Sequence, residues 1–490
     1  MKGTVLFGGT QMVSIVANVL RGKMVAVLLC STGLGISSFY MSTLMPLQQF
    51  FSMGMPIAVV SAVAAMAADD AEGRRAVAAQ VKAFRRCLLV LAAAGVVFML
   101  AMAPTLSRMS FGTDAHTLPY MLLAAALFFL IMESGETAVL QSRRQMRQVA
   151  VRNVVNALAS LLVGVPLYWF YGTGGIVPAI IASTAVVWGY SRWQTRRMAV
   201  ESVAQSWRET WTLGRGIITL GFFMMLAALL GNVTNYLVNA SIRYIGSVSD
   251  VGLYQASTSI TSQYVGLVFA AMATDYFPRL TAIRESVAGV RRLIRQQMEL
   301  VLLVVTPLVA VLIVTAPLLI RVLLTEEFLP LTSVVRLTGL AIICKAACFP
   351  LDYVSMAYGR KRYFFWMEGV WCNAKTLVLI VACYYAWGIE GVGYAAVANG
   401  LVDVLVTTLM THCCFGINAW RLQVRLFLPL MAGASLCAAL SFSGSAWLAW
   451  GGMTVCAAAI CGICGVMLSR RLALKEWFRK KFGAAPSDVA

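Results

Sequence analysis

Residues 18–36, NVLRGKMVAVLLCSTGLGI, align without a gap on residues 235–253, NYLVNASIRYIGSVSDVGL. The offset of 217 residues sets Asn18 on Asn235 and Gly35 on Gly252. Further along, YGTGGIVPA (171–179) matches WGIEGVGYA (387–395) at an offset of 216. One match this short carries little weight. Two with nearly the same offset, in widely separated parts of the chain, indicate an internal duplication. Each copy holds six hydrophobic runs, and six crossings return a chain to the side it left, so the copies run in parallel orientation. Secondary transporters are built from such repeats, with substrate sites at the repeat interface.

Composition places the chain in a membrane. Of its 490 residues 60% are hydrophobic and only 12% charged, against about 25% charged in soluble domains. Mean hydropathy is +0.80. So much apolar surface exceeds what a core takes up and must face lipid, which excludes a soluble enzyme, a secreted disulfide scaffold and a disordered chain. The runs read as about fourteen helices, at 4–30, 34–66, 86–106, 118–140, 150–171, 174–192, 214–242, 251–278, 298–323, 331–357, 364–387, 391–414, 426–443 and 446–468. The expected fold is an all-α polytopic membrane protein: two pseudo-symmetric six-helix lobes (1–195 and 214–415), a cytoplasmic linker (196–213), two additional helices (416–468) and a basic cytoplasmic tail (469–490). The first run is too long for a cleavable signal peptide, and no A-x-A site follows it.

The net charge of +19 is accounted for by topology. With the N-terminus inside, the basic clusters all fall in cytoplasmic segments: Arg74 to Arg86, Arg143 to Arg152, Arg192 to Arg215, Arg279 to Arg295, Arg360 to Arg362, Arg421 to Arg425, and Arg470 to Lys481. Outer segments keep Arg108, Arg243 and Arg321. This is the positive-inside pattern, and it leaves no reason to invoke nucleic acid. The twelve cysteines lie in or beside apolar runs and read as small apolar side chains of membrane helices. Cys461 and Cys464 form a C-x-x-C without a second pair or a nearby histidine, and His116 and His412 are far apart, so no metal site is expected.

Polar residues line one side of several helices. The first carries Gln11, Ser14, Asn18 and Arg21 within about 80° of arc. The seventh carries Asn232, Asn235, Asn239 and, at its outer end, Arg243. The second has Ser38, Ser42 and Gln49 in line, and the eighth has Gln255, Ser259 and Ser262; the 217 offset places Ser38 on Gln255 and Ser42 on Ser259. Such stripes serve either as the wall of a wet cavity or as interhelical hydrogen-bonding glue. Their recurrence at repeat-related positions favours the cavity. Arg21 would be a fixed cation there, suited to bidentate contact with a pyrophosphate, while Lys23 lies on another face and can snorkel outward.

Arg21, Lys23, Arg336, Lys345 and Lys375 fall inside apolar runs, where a charge costs about 2.5–3.5 kcal/mol on insertion scales; each needs a cavity or a partner. Lys345 with Asp352, and Glu368 with Lys375, are spaced to share a helical face. Glu133 and Glu136, near Arg143 and Arg144, together with Asp275 and Asp403, are candidates for ion coupling or for structural ion pairs. Pro46, Pro56, Pro307, Pro317 and Pro350 can kink their helices.

The segment LRGKMVAVLLCSTGLGISSF (20–39) resembles the opening of the polysaccharide transport proteins, the Wzx-type oligosaccharide flippases of the MOP superfamily. YFPRLTAIRE (276–285) and the stretch from Gly359 to Glu368 are similar to later segments of that family. Cys30 and Ser31 stand where many members have Gly-Pro. The resemblance implies two six-helix lobes forming a MATE-like V around a cationic cavity. It also implies an undecaprenyl-pyrophosphate-linked oligosaccharide as substrate, moved from the inner to the outer leaflet of the bacterial inner membrane against a proton or sodium gradient. No other cofactor is expected. The expected partners are membrane lipids and polysaccharide assembly proteins, and the expected state a monomer.

Three other readings compete. A multidrug exporter of the same superfamily should place carboxylates in its cavity, whereas the first-lobe stripe has none. A polymerase or ligase of lipid-linked sugars needs a sizeable outer loop and a catalytic set, and neither is visible. A lipid II flippase would share the mechanism and differ in cargo.

Overall fold

The computed structural model describes residues 2–64, 66, 71–143, 145–197, 205–283, 285–358, 363, 365–441 and 446–472. Linker residues 198–204, Arg144, Arg360, Lys361, Arg362 and the tail from residue 473 lie outside the described residues, as do the side chains of Gln11, Asp275 and Glu368. The described chain is helical almost throughout, and no strand occurs among those residues. The helices are α1 (Lys2–Ser52), α2 (Met55–Ala64), α3 (Ala71–Phe111), α4 (Thr117–Ser142), α5 (Met146–Tyr171), α6 (Ile176–Arg197), α7 (Trp207–Ile245), α8 (Val248–Ala282), α9 (Val287–Leu323), α10 (Thr332–Ala357), α11 (Cys372–Phe415), α12 (Leu428–Leu440) and α13 (Ala446–Leu472). Among the described residues, nine helical stretches are long and apolar enough to cross a membrane.

At two of the expected boundaries the chain turns so tightly that neighbouring helices abut without a loop. The first two runs form one element, α1, broken at Cys30 (φ 57°, ψ −168°). The run at 34–66 divides at Met53 and Gly54, both with positive φ. The runs at 364–387 and 391–414 join in α11, broken at Gly388 (φ 60°, ψ −141°), and a π-helical stretch, Phe365–Trp371, leads into it.

The break at Gly388 is a hairpin. A Cβ on Gly391 would collide with the carbonyl of Cys383, a residue that a straight helix would hold about 12 Å away along its axis. The first copy of the repeat does the same. Gly172 has φ 53° and ψ −131°, and a Cβ on Gly175 would collide with the carbonyl of Leu167. Each residue of one hairpin lies 216 positions from its counterpart. Only glycine adopts this backbone region readily, so the matched glycines of the two sequence segments do the same work.

The chain forms two compact units. The first comprises Met1–Gln255, Val322–Phe328 and Glu368–Leu377; the second comprises Ala256–Arg321, Leu329–Met367 and Val378–Ala490. In the first, α3, α4 and α6 pack side by side, α5 lies against α1 and α6, and α7 lies against α1 and α3. A capping box starts α7: the Glu209 amide donates to Ser206 Oγ at 3.2 Å and the Ser206 amide to Glu209 Oε2 at 3.0 Å, satisfying two donors no helical bond could. The second unit packs Tyr276, Met298, Leu302, Val305, Ile343 and Val354 into its core. There Arg336 donates Nε–H to the Ile313 carbonyl at 3.0 Å. That carbonyl would ordinarily accept from residue 317, which is proline and has no N–H. Arg336 therefore completes the backbone that Pro317 interrupts.

Candidate functional site

Polar groups of the first unit converge where α1, α7 and α8 meet, near the break at Cys30. The positive φ at Cys30 restarts the helix at Ser31, leaving the first N–H groups of the new segment without helical acceptors. Glu327, from the short 3-10 helix Glu326–Leu331, supplies one: the Ser31 amide donates to Glu327 Oε1 at 3.3 Å. The Ser31 hydroxyl donates to the same oxygen and lies 2.5 Å from the Ser249 hydroxyl. A carboxylate here also meets the positive end of the helix dipole.

Two glycines let the backbones approach this closely. A Cβ on Gly35 would strike the Val248 carbonyl, and one on Gly252 would strike the Ser31 carbonyl. Val248 is the repeat counterpart of Ser31, so the contact is reciprocal. One turn deeper, Asn239 Nδ2 donates to Ser38 Oγ at 3.2 Å, and Ser38 Oγ donates to Gln255 Oε1 at 3.3 Å. Asn239 is fully buried.

The expected polar stripes thus divide. Asn239 and Gln255 are joined through Ser38. Ser42 is buried and donates to the Phe39 carbonyl at 3.1 Å, and Ser14 is buried. Gln49, Asn232 and Ser259 are half-buried, and Asn18 and Asn235, repeat counterparts, are both exposed. Arg21 and Lys23 are half-buried in α1; among the described residues neither is held in an ion pair. The half-buried Arg243 lies over Gly112, at the turn after α3.

The acids of α4 sit at the opposite end of the first unit, in closed pairs. Glu136, 1% exposed, accepts from Arg85 of α3 at 2.5 Å and from Arg192 and Thr195 of α6 at 2.8 and 2.6 Å. Glu133 pairs with Arg152 of α5 and accepts from Thr137 at 2.7 Å. These arginine partners are distant in sequence, on α3, α5 and α6. In the second unit the ammonium of Lys345 lies 5.6 Å from the centre of the Phe269 ring, a cation–π contact. Asp352 and Asp403 are half-buried. Lys375, in the first unit, is 8% exposed.

Glu327 and Ser249 are absent from any sequence-based expectation. Glu327 sits in a short link between two long runs, where periodicity reports nothing. Ser249 could have been noticed as lying 218 positions from Ser31, close to the repeat offset.

The fold is that of the MOP superfamily, in an all-α polytopic membrane protein. A solved structure titled lipid II flippase MurJ, inward closed conformation, superposes with a TM-score of 0.70 at 11% identity, covering 96% of this chain and 100% of that one. An inward-facing multidrug resistance MATE family transporter gives 0.64 at 15% identity, over 82% of this chain and 94% of that one. A MOP superfamily transporter from Pyrococcus furiosus gives 0.60 at 13% identity, over 84% and 94%. Residues 71–333, more than half of the chain, match the model of the polysaccharide biosynthesis protein family, and the chain belongs to that family. No curated protein matches in sequence.

Proposed function

We propose that the protein is a flippase that carries an undecaprenyl-pyrophosphate-linked oligosaccharide from the inner to the outer leaflet of the bacterial inner membrane by alternating access. Both termini are cytoplasmic in this reading, and a proton or sodium gradient supplies the energy. The Cys30 end of the first unit then faces outward and the arginine-rich end inward, in keeping with the positive-inside rule. Family membership supports a role in polysaccharide assembly.

One observation carries the reading furthest: Arg21 and Lys23, half-buried in the apolar helix α1, hold no ion-pair partner among the described residues. A cation retained at such cost matches a substrate that brings its own phosphates. The sugar chain needs a wet path, while a polyprenyl tail can stay in lipid. Depletion of the protein should therefore cause polyprenyl-pyrophosphate oligosaccharide to accumulate on the cytoplasmic face. Arg21→Gln should stop translocation at normal membrane abundance, and Arg21→Lys should recover only part, because an ammonium lacks the bidentate fork. Full transport by Arg21→Gln would overturn the role of Arg21.

A second reading, a flippase for a peptidoglycan precursor, is favoured by the full-length match to the lipid II flippase fold, which includes the two C-terminal helices. Under it the same depletion would accumulate that precursor instead.

A further inference from the structure

The arginine-rich end of the first unit contains an open pocket of about 530 Å³ between α3, α4 and α6. Four guanidinium groups line it: Arg85, Arg86, Arg192 and Arg196. Glu136 is bonded among them, and of these four arginines it pairs with Arg85 and Arg192. Arg86 spends its hydrogen bonds on neutral acceptors, the Gln205 carbonyl at 2.8 Å and Thr210 Oγ1 at 3.2 Å. Arg196 is exposed. The lining therefore carries an excess of about three positive charges over Glu136.

Two of the lining residues also carry a buried donor with no acceptor among the described residues, Arg85 Nε and Trp188 Nε1. The remaining lining is apolar. Leu89 and Trp193, each 48% exposed, give the lining apolar surface open to the outside, the Trp193 ring carrying the Arg197 guanidinium at 3.8 Å.

We propose that this pocket holds the phosphate headgroup of an anionic phospholipid from the cytoplasmic leaflet. The inference rests on the membrane orientation given above, not on the identity of the transported molecule. Basic recesses between helices on the cytoplasmic side are physically suited to acidic headgroups, and phosphate oxygens accept strong, charge-assisted hydrogen bonds from guanidinium donors. The exposed apolar lining favours a ligand with acyl chains over a free anion. The volume suits a glycerophosphate-sized group rather than a pyrophosphate bearing an oligosaccharide.

The test uses the purified full-length protein in detergent, titrated with phosphatidylglycerol or phosphatidylcholine and followed by native mass spectrometry and thermal unfolding. Arg196→Gln and the double variant Arg86→Gln/Arg196→Gln leave all the bonds to Glu136 in place. The wild-type chain should retain phosphatidylglycerol over phosphatidylcholine. The double variant should bind phosphatidylglycerol about tenfold to thirtyfold more weakly, with a smaller lipid-induced rise in Tm. If the double variant does not fold, Arg196→Gln alone, at an exposed position, should still weaken binding severalfold. Equal retention of the two lipids, or unchanged affinity in the variants, would overturn the proposal. So would displacement of the lipid by inorganic phosphate, or by undecaprenyl pyrophosphate at lower concentration than phosphatidylglycerol; the pocket would then serve a free anion or the carrier.

Discussion

Ser38 donates its hydroxyl to Gln255 at 3.3 Å, and these two residues hold the same place in the two copies of the duplicated sequence. Around them Gly35 approaches Val248 and Gly252 approaches Ser31, again with each residue facing its partner's counterpart. The helix breaks of the two copies meet through pairs of equivalent positions, as a local two-fold relation requires.

The Ser38 hydroxyl also accepts from the fully buried Asn239, whose Oδ1 has no partner among the described residues. Ser38→Ala should strand that amide and cost about 1–3 kcal/mol, read as a lower Tm in detergent. Gln255→Leu should cost less, since Asn239 keeps its bond to Ser38. The double variant should show coupling of about 0.5–3 kcal/mol; strict additivity would mean that the three groups do not act as one network.

Much of this arrangement was legible in the sequence, and for a physical reason. A duplicated backbone must repeat its special conformations, so the glycines at 172 and 388 and at 35 and 252 recur along with the turns and close contacts that need them. Polar stripes were legible as faces but not as partners. Helical periodicity says that Ser38 and Asn239 point to one side of their helices, not that they point at each other. The same limit explains Glu136, whose partners among the described residues come from α3 and α6, far off in the sequence. The break at Cys30 falls between the runs at 4–30 and 34–66, whereas the one at Met53 and Gly54, inside the run at 34–66, left no mark in the apolar pattern.

Cys30 adopts φ 57° and ψ −168°, a region costing a non-glycine residue about 1–3 kcal/mol. Cys30→Gly should therefore stabilise the protein by about that amount, visible as a higher Tm. Gly172→Ala and Gly388→Ala impose the same strain and should each destabilise by about 1–3 kcal/mol. A neutral outcome at all three positions would show that the hairpin backbones relax freely.

The Ser31 and Ser249 hydroxyls are 2.5 Å apart. If this end of the molecule must open during transport, joining the two positions should arrest it. With Cys30 replaced by glycine, Ser31→Cys/Ser249→Cys treated with a short thiol cross-linker should lose translocation, and a cleavable linker should restore it on reduction. Transport that persists through complete cross-linking would mean that the contact stays closed throughout the cycle.

Glu136 binds two guanidinium groups in a buried setting, and breaking such a group by removing one member costs about 3–5 kcal/mol. Glu136→Gln should sharply reduce the folded protein recovered from membranes. An abundant Glu136→Gln protein with altered ion dependence of transport would instead assign this carboxylate to coupling.

The bond between Arg336 and the Ile313 carbonyl bears on how the chain is made. During synthesis α9 is produced before α10, so the bare carbonyl left by Pro317 is already present when the next segment, with its guanidinium, reaches the bilayer. The two defects are individually unfavourable in hydrocarbon and mutually corrective, which makes membrane integration of α10 conditional on its predecessor. Segment-insertion assays should find α10 inefficient alone and efficient behind α9. That advantage should shrink with Pro317→Ala, which restores the backbone donor and leaves the arginine nothing to complete.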